Sequence, residues 1–147
     1  MARQNWWLVA CLAVLCLLAR QEVGMAEPSE IVLQTIAMES ASEPMEGQVL
    51  VARTIQNRAR KAGITPERAV LRPFQFSCWN DRKWAKRWLD THYGPKTRLR
   101  ALKAWEMASY STFNGRHYHT TDVMPYWAKG HAPSVVVGRH AFYDRIR

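Results

Sequence analysis

Apolar residues recur at helical spacing from the first segment of the chain that reads as folded. Between Ser29 and Ser42, Val32 and Ile36 stand four apart, Glu39 follows on the same face, and Leu33 and Ala37 widen the stripe. Pro44 disfavours helical geometry at Glu43, so this helix is predicted to end there. A second helix is predicted over Glu46 to Lys61, with Val49, Ala52, Ile55, Gln56 and Ala59 inward and Gly63 as its stop. Thr65-Pro66-Glu67 opens a short third helix, with a capping hydroxyl, a proline in the first turn and an acid near the positive dipole end; Pro73 closes it. Phe74 to Asn80 reads as an ordered loop dense in aromatic and polar side chains. Asp81 caps a helix that carries Trp84 and Trp88, and after the break at Tyr93-Gly94-Pro95 a last helix is predicted over Lys96 to Ser109, with Leu99, Leu102, Trp105 and Ala108 inward. Beyond Asn114-Gly115, alternation and β-formers predict strands in Arg116 to Val123, Ser134 to Val137 and His140 to Tyr143. The pattern gives an α+β fold, mainly helical, with a small antiparallel sheet toward the C-terminus.

The N-terminus reads differently. Residues 6–19 are an uncharged apolar run between Arg3 and Arg20, shorter than the roughly 20 residues a membrane span needs. A positive start, a short apolar middle and the small-x-small site Gly24-Met25-Ala26 describe a secretory signal, with cleavage expected after Ala26. Residues 1–26 are therefore read as the signal and 27–147 as one catalytic domain; retention of 6–19 as a membrane anchor is the alternative. The protein is expected to be exported, to periplasm or cell wall, touching the membrane only through this segment. Leu8-Val9-Ala10-Cys11 loosely resembles a lipoprotein site, but almost no apolar run precedes it.

Charge narrows the partners without choosing one. Twenty-one Lys and Arg against 12 Asp and Glu give +9, and no basic residue falls between Arg20 and Arg53. Such a surface suits nucleic acid, acidic lipid or anionic cell wall; export argues against nucleic acid. Four of the seven tryptophans, Trp79, Trp84, Trp88 and Trp105, fall close together, and tryptophan serves either as core or as a stacking face for sugar rings. Removal of the signal leaves Cys78 alone, which rules out an internal disulfide in the mature chain and leaves a buried small hydrophobe or a reactive thiol.

Glu39 is the sharpest chemical feature. A carboxyl group on an apolar helix stripe lies against the core, where desolvation favours the protonated form, and such an acid can protonate a glycosidic oxygen. Read from periodicity alone, a helix-terminal Glu turned to solvent is the commoner outcome. Glu43 and Glu46 are nearby carboxylates: either supplies a second catalytic group, or Glu43 orients substrate or an arginine and Glu46 starts the next helix. His117 and His119 alternate around Tyr118 and share a strand face, which with His131 or His140 suggests either zinc or ordinary hydrogen bonding. Gln75, Ser77, Trp79, Tyr126 and Trp127 mix amide, hydroxyl and aromatic groups suited to sugars.

Taken in order, these segments resemble the SleB/CwlJ family of cell-wall hydrolases. The pieces are Glu39 through Val49 with Glu43-Pro44 inside it, Asn57-Arg58, Gln75-Phe76-Ser77-Cys78-Trp79, His117-Tyr118-His119, Pro125-Tyr126-Trp127-Ala128 and Gly138 through Tyr143, spanning about residues 31 to 143. The resemblance implies a domain related to lysozyme and lytic transglycosylases, acting on peptidoglycan between N-acetylmuramic acid and N-acetylglucosamine. It implies Glu39 as the catalytic acid; no cofactor and no metal are expected. It suggests that this single carboxyl group protonates the leaving oxygen and then deprotonates the muramic C6 hydroxyl, yielding an anhydro sugar. Glu43, Gln75, Ser77, Trp79, His117, Tyr118, His119 and Trp127 are the expected substrate-binding residues of a protein acting as a monomer. Two positions depart from the family pattern: Ser40-Ala41-Ser42 replaces Ala-Arg-Gly between the glutamates, and Arg116 replaces Thr before His-Tyr-His. The competing readings are a zinc-dependent amidase cutting between muramic acid and peptide, and a wall-binding protein with an idle acid.

Overall fold

The computed structural model describes residues 27–146, and the signal expected within residues 1–26 lies outside the described residues. Helix α1 spans Glu30–Ser40, with Glu30 at the positive end of its dipole. Val32, Leu33 and Ile36 are completely buried, and each such burial stabilises by about 1.5–3 kcal/mol. The two polar residues on this face, Thr35 and Ser40, turn their hydroxyls back to the carbonyls of Ile31 and Ile36, so their burial leaves no donor unpaired. The helix stops two residues short of the predicted Ser42. Glu43 N–H bonds the Ser40 carbonyl in a tight turn, and Pro44 becomes the N-cap of the next helix.

Helix α2, Met45–Ala62, is the central element. It packs on α1, on the short helix α3 (Pro66–Val70) and on α5 (Pro95–Ala108). Gly63 ends it at φ 63°, a left-handed conformation that glycine adopts without penalty, and Ile64 N–H reaches back to the Ala59 carbonyl. Thr65 and Asp81 act as the predicted N-caps, accepting from Arg68 N–H and from Lys83 and Trp84 N–H. Helix α4, Arg82–His92, buries only Ala85 and lies on the surface beside α1.

Helix α5 turns Trp105 and Ala108 inward as predicted, with Leu102 packed on the core, but Leu99 faces outward. Ala101, Ala104, Trp105 and Ala108 are its buried residues, whereas Leu99 is 66 % exposed and Leu102 half-buried. The buried set has i, i+3, i+4, i+7 spacing, and Leu99 lies two positions, about 200°, away from Ala101. Three alanines let α5 approach α2 closely, which a leucine stripe would prevent.

The sheet has order β1-β3-β2 and is antiparallel throughout, with β1 His117–Thr120, β2 Val135–Val137 and β3 His140–Tyr143. β1 is shorter at both ends than predicted; at its C-terminal end Thr121 enters a turn after bonding the Arg139 carbonyl. Tyr118, His140 and Phe142 share the inner face. There Val137 and Phe142 pack on Leu50 and Val51 of α2. His117, His119 and Tyr143 share the outer face with Trp127. Alternation along β1 thus sends Tyr118 toward the helices and its flanking histidines away.

Candidate active site

Glu39 sits in the last turn of α1, half-buried. One carboxylate oxygen accepts the Tyr118 hydroxyl at 2.8 Å, and the other accepts the Cys78 backbone N–H at 3.2 Å. Three distant stretches therefore meet at one carboxyl group: the end of α1, the Ser77–Trp79 turn and the inner face of β1. Burial first, and then the Glu39 charge, push the Tyr118 phenol well above its ordinary range, so it remains a proton donor to Glu39. The same two causes push the Cys78 thiol up; the buried sulfur is a poor nucleophile, which removes the reactive-thiol reading.

Arg58 backs this pair. Its Nε donates to the Arg116 carbonyl at 2.8 Å and its Nη1 to the Gln75 carbonyl at 2.7 Å, tying α2 to the Gln75 loop and to the start of β1. The guanidinium lies 4.7 Å from the Phe76 ring centre and 6.0 Å from that of Tyr118. Burial holds its pKa below the usual arginine range, an effect opposed by the Tyr118 and Glu39 charges. Asn57, one residue before, donates to the carbonyls of Phe113 and Gly115 and fixes the approach to β1.

The Glu39–Tyr118 hydrogen bond joins a residue lining one cavity to a residue lining another. Glu39 lines one of about 400 Å3, together with Ser40, Ser42, Trp88 and His92; the Trp88 and His92 rings stack there at 5.1 Å. Tyr118 lines the other, of about 440 Å3, with Gln75, His117 and Trp127. Four of the predicted binding residues are thus brought together: Gln75, His117, Tyr118 and Trp127. Burial, then the Arg58 and Arg116 charges, lower the His117 pKa and favour its neutral ring.

The remaining predicted residues lie elsewhere. Glu43 is only 5 % exposed and lines neither cavity. Its carboxylate accepts Arg139 N–H at 2.8 Å and faces His140 at 3.7 Å, while its carbonyl accepts from Gln48 and Arg100. It fastens the α1–α2 turn to the β2–β3 turn, a position from which it presents no surface to a substrate. Gly138 stands at φ 55° in that turn, and a Cβ there would strike the Glu43 carboxylate. Trp79 donates its indole N–H to Thr35 at 2.9 Å and packs on the helical core. Ser77 is exposed beside the site without lining either cavity. His119 stands behind Trp127. Its Nδ1–H donates to the Thr120 carbonyl and its Nε2 accepts the Tyr143 hydroxyl, both at 2.8 Å, which fixes one tautomer. Both ring nitrogens are thus engaged, His140 is on the opposite sheet face, and His131 is exposed. Among the described residues no three His, Cys, Asp or Glu side chains gather as a metal site, so the zinc reading has no donor set to support it.

Sequence reasoning missed Arg58 and Phe74 as site residues. Arg58 stands three positions after Ile55 on the inner side of α2, a spacing that places it toward the core. Phe74 lines the 440 Å3 cavity, is 88 % exposed and holds φ at 61°. A left-handed phenylalanine has no sequence signal, since glycine or asparagine is the usual occupant.

The family model described as cell wall hydrolase matches residues 42–143. The matched segment is shorter than the span over which the sequence motifs run, and Glu39 stands three residues before it. No curated protein and no solved structure matched the chain. The match takes in Arg58, the Gln75–Trp79 loop and the whole sheet, and it covers more than half of the chain. The protein belongs to the cell wall hydrolase family, whose substrate is peptidoglycan.

Proposed function

We propose that the protein is an exported lytic transglycosylase that cuts the glycan strand between N-acetylmuramic acid and N-acetylglucosamine, with Glu39 as its one acid and base. The observation that carries this reading is the placement of Glu39. It is a half-buried carboxyl group held by two hydrogen-bond donors; it lines one cavity, and its donor Tyr118 lines another. An acid so flanked suits a polymer that continues on both sides of the bond to be cut.

In the first step Glu39 protonates the glycosidic oxygen and the C1–O bond breaks, leaving positive charge on the muramic ring. Tyr118 O–H and Cys78 N–H stabilise the carboxylate that remains, acting where charge develops. In the second step that carboxylate takes the proton of the muramic C6 hydroxyl as O6 bonds to C1, which closes the anhydro ring and restores the acid. A positioned acid of this kind contributes roughly 10²–10⁴ in rate. The placement of Glu43 supports a one-carboxylate scheme, because its carboxylate is committed to the Arg139 turn. Trp88 and Trp127, one in each cavity, offer faces for sugar rings.

Digestion of purified peptidoglycan, with product ends read by mass spectrometry, tests the reaction type. The expected ends are 1,6-anhydromuramoyl. Reducing muramic ends instead mean water attack, and free peptide amines mean an amidase; either result overturns the transglycosylase assignment.

A further inference from the structure

The 440 Å3 cavity has a charge that the cleavage step does not use. Arg58, Lys61, Arg72 and Arg116 line it, and no Asp or Glu does. Among the described residues none of the four forms an ion pair. Arg58 is half-buried, and both of its side-chain hydrogen bonds go to backbone carbonyls, not to a carboxylate. His117 on the same wall has a buried Nδ1 with no partner. Four cations lining one cavity repel one another, and an anion received there relieves that repulsion.

We propose that this cavity is a subsite for the carboxylates of the peptide carried by the muramic residue, so that the enzyme selects peptide-bearing glycan over bare glycan. The inference rests on the glycan-cleavage reading, because it takes the occupant to belong to the strand being cut. The cavity shares Tyr118 with the acid, so its occupant lies one tyrosine side chain from Glu39. Near the scissile bond, the charged substituent of the strand is the peptide attached through the lactyl ether, which carries free carboxylates. Guanidinium forks match a carboxylate with two parallel hydrogen bonds. Trp127 and the exposed ring of Phe74 give apolar faces beside the charges for the peptide or its sugar. A phosphate of an anionic wall polymer has similar chemistry, but it is not tied to the strand held at Glu39.

Calorimetry on the full chain carrying Glu39→Gln separates binding from cleavage. The probes are the disaccharide N-acetylglucosaminyl-N-acetylmuramoyl-L-Ala-D-Glu with both carboxylates free, the same molecule as its diamide, and inorganic phosphate. The diacid is expected to bind about tenfold more tightly than the diamide, the effect of one charge-assisted hydrogen bond. The gap is expected to shrink with added salt and to narrow by half or more in Lys61→Gln/Arg116→Gln, whose altered side chains make no hydrogen bond or ion pair among the described residues. Equal binding of diacid and diamide, or a gap undiminished in the double variant, overturns the proposal. Inorganic phosphate binding more tightly than the diacid overturns it too, in favour of a phosphate site. The wild-type digest is read separately: a charge-dependent gap without glycan cleavage leaves the subsite standing and sinks only the reaction.

Discussion

At the scale of single residues, the site depends on what surrounds one carboxyl group. Tyr118 is the group whose loss is most informative, because its hydroxyl bonds Glu39 and its ring also packs with Phe142. Tyr118→Phe keeps the packing and removes the donor. It is expected to lower kcat by about 10²–10³-fold, the effect of one lost donor at a developing charge, with little change in melting temperature. Release of soluble muropeptides per enzyme checks this, and wild-type turnover in the variant would remove Tyr118 from the mechanism. The same residue gives a pH signature. Its phenol is raised in the folded state by burial and by Glu39, so its contribution to stability is fully present below the unfolded value of about 10 and declines as pH rises above it. Denaturant midpoints between neutral pH and alkali should therefore fall more steeply for wild type than for Tyr118→Phe.

Among the elements, the α1–α2 turn and the β2–β3 turn hold the helices to the sheet, and Glu43 is their joint. Gly138→Ala forces a side chain into a left-handed residue and against the Glu43 carboxylate. A cost of about 2–4 kcal/mol is expected, from the backbone and the displaced hydrogen bond together, seen as a melting temperature lower by roughly 10 °C or more. Glu43→Gln keeps an acceptor for Arg139 N–H and should lose less; an unaffected Gly138→Ala would show that the joint is dispensable. This joint also marks the limit of what the sequence reveals. The helices were legible because capping and stop residues such as Thr65, Asp81 and Gly63 act locally, and so was the alternation that separates Tyr118 from its two histidines. On α5 the sequence pointed rightly to Trp105 and Ala108 but not to Ala101 and Ala104, because alanine at close helix contacts carries a weaker hydrophobic signal than the exposed Leu99. Glu43 read as a substrate ligand because its neighbours in sequence say nothing of Gly138, 95 positions away. Arg58 and Phe74 escaped for the same reason: the partners of one and the backbone of the other are set by tertiary contacts.

For the whole molecule, a basic chain carries the acid of α1 in a mainly helical domain closed by a small sheet. Export is a proposal resting on residues 1–26, and it has a simple check. Protein recovered from the cell envelope is expected to begin at Glu27; an intact N-terminus in that fraction would mean that the segment stays on as an anchor. Among the described residues no helix is long and apolar enough to cross a membrane, so any lasting membrane attachment through a helix would have to come from outside them. The net charge of +9 supplies attraction to anionic wall whatever the bond cut. The central claim is narrower, that Glu39 is the acid, and it stands three residues outside the matched family segment. Peptidoglycan digestion by Glu39→Gln and wild type, at equal concentration and with melting temperatures matched, tests it most directly. The variant is expected to fold and bind wall but to release at least about 10²-fold less product, as when the acid–base group is removed. Release within tenfold of wild type would contradict it.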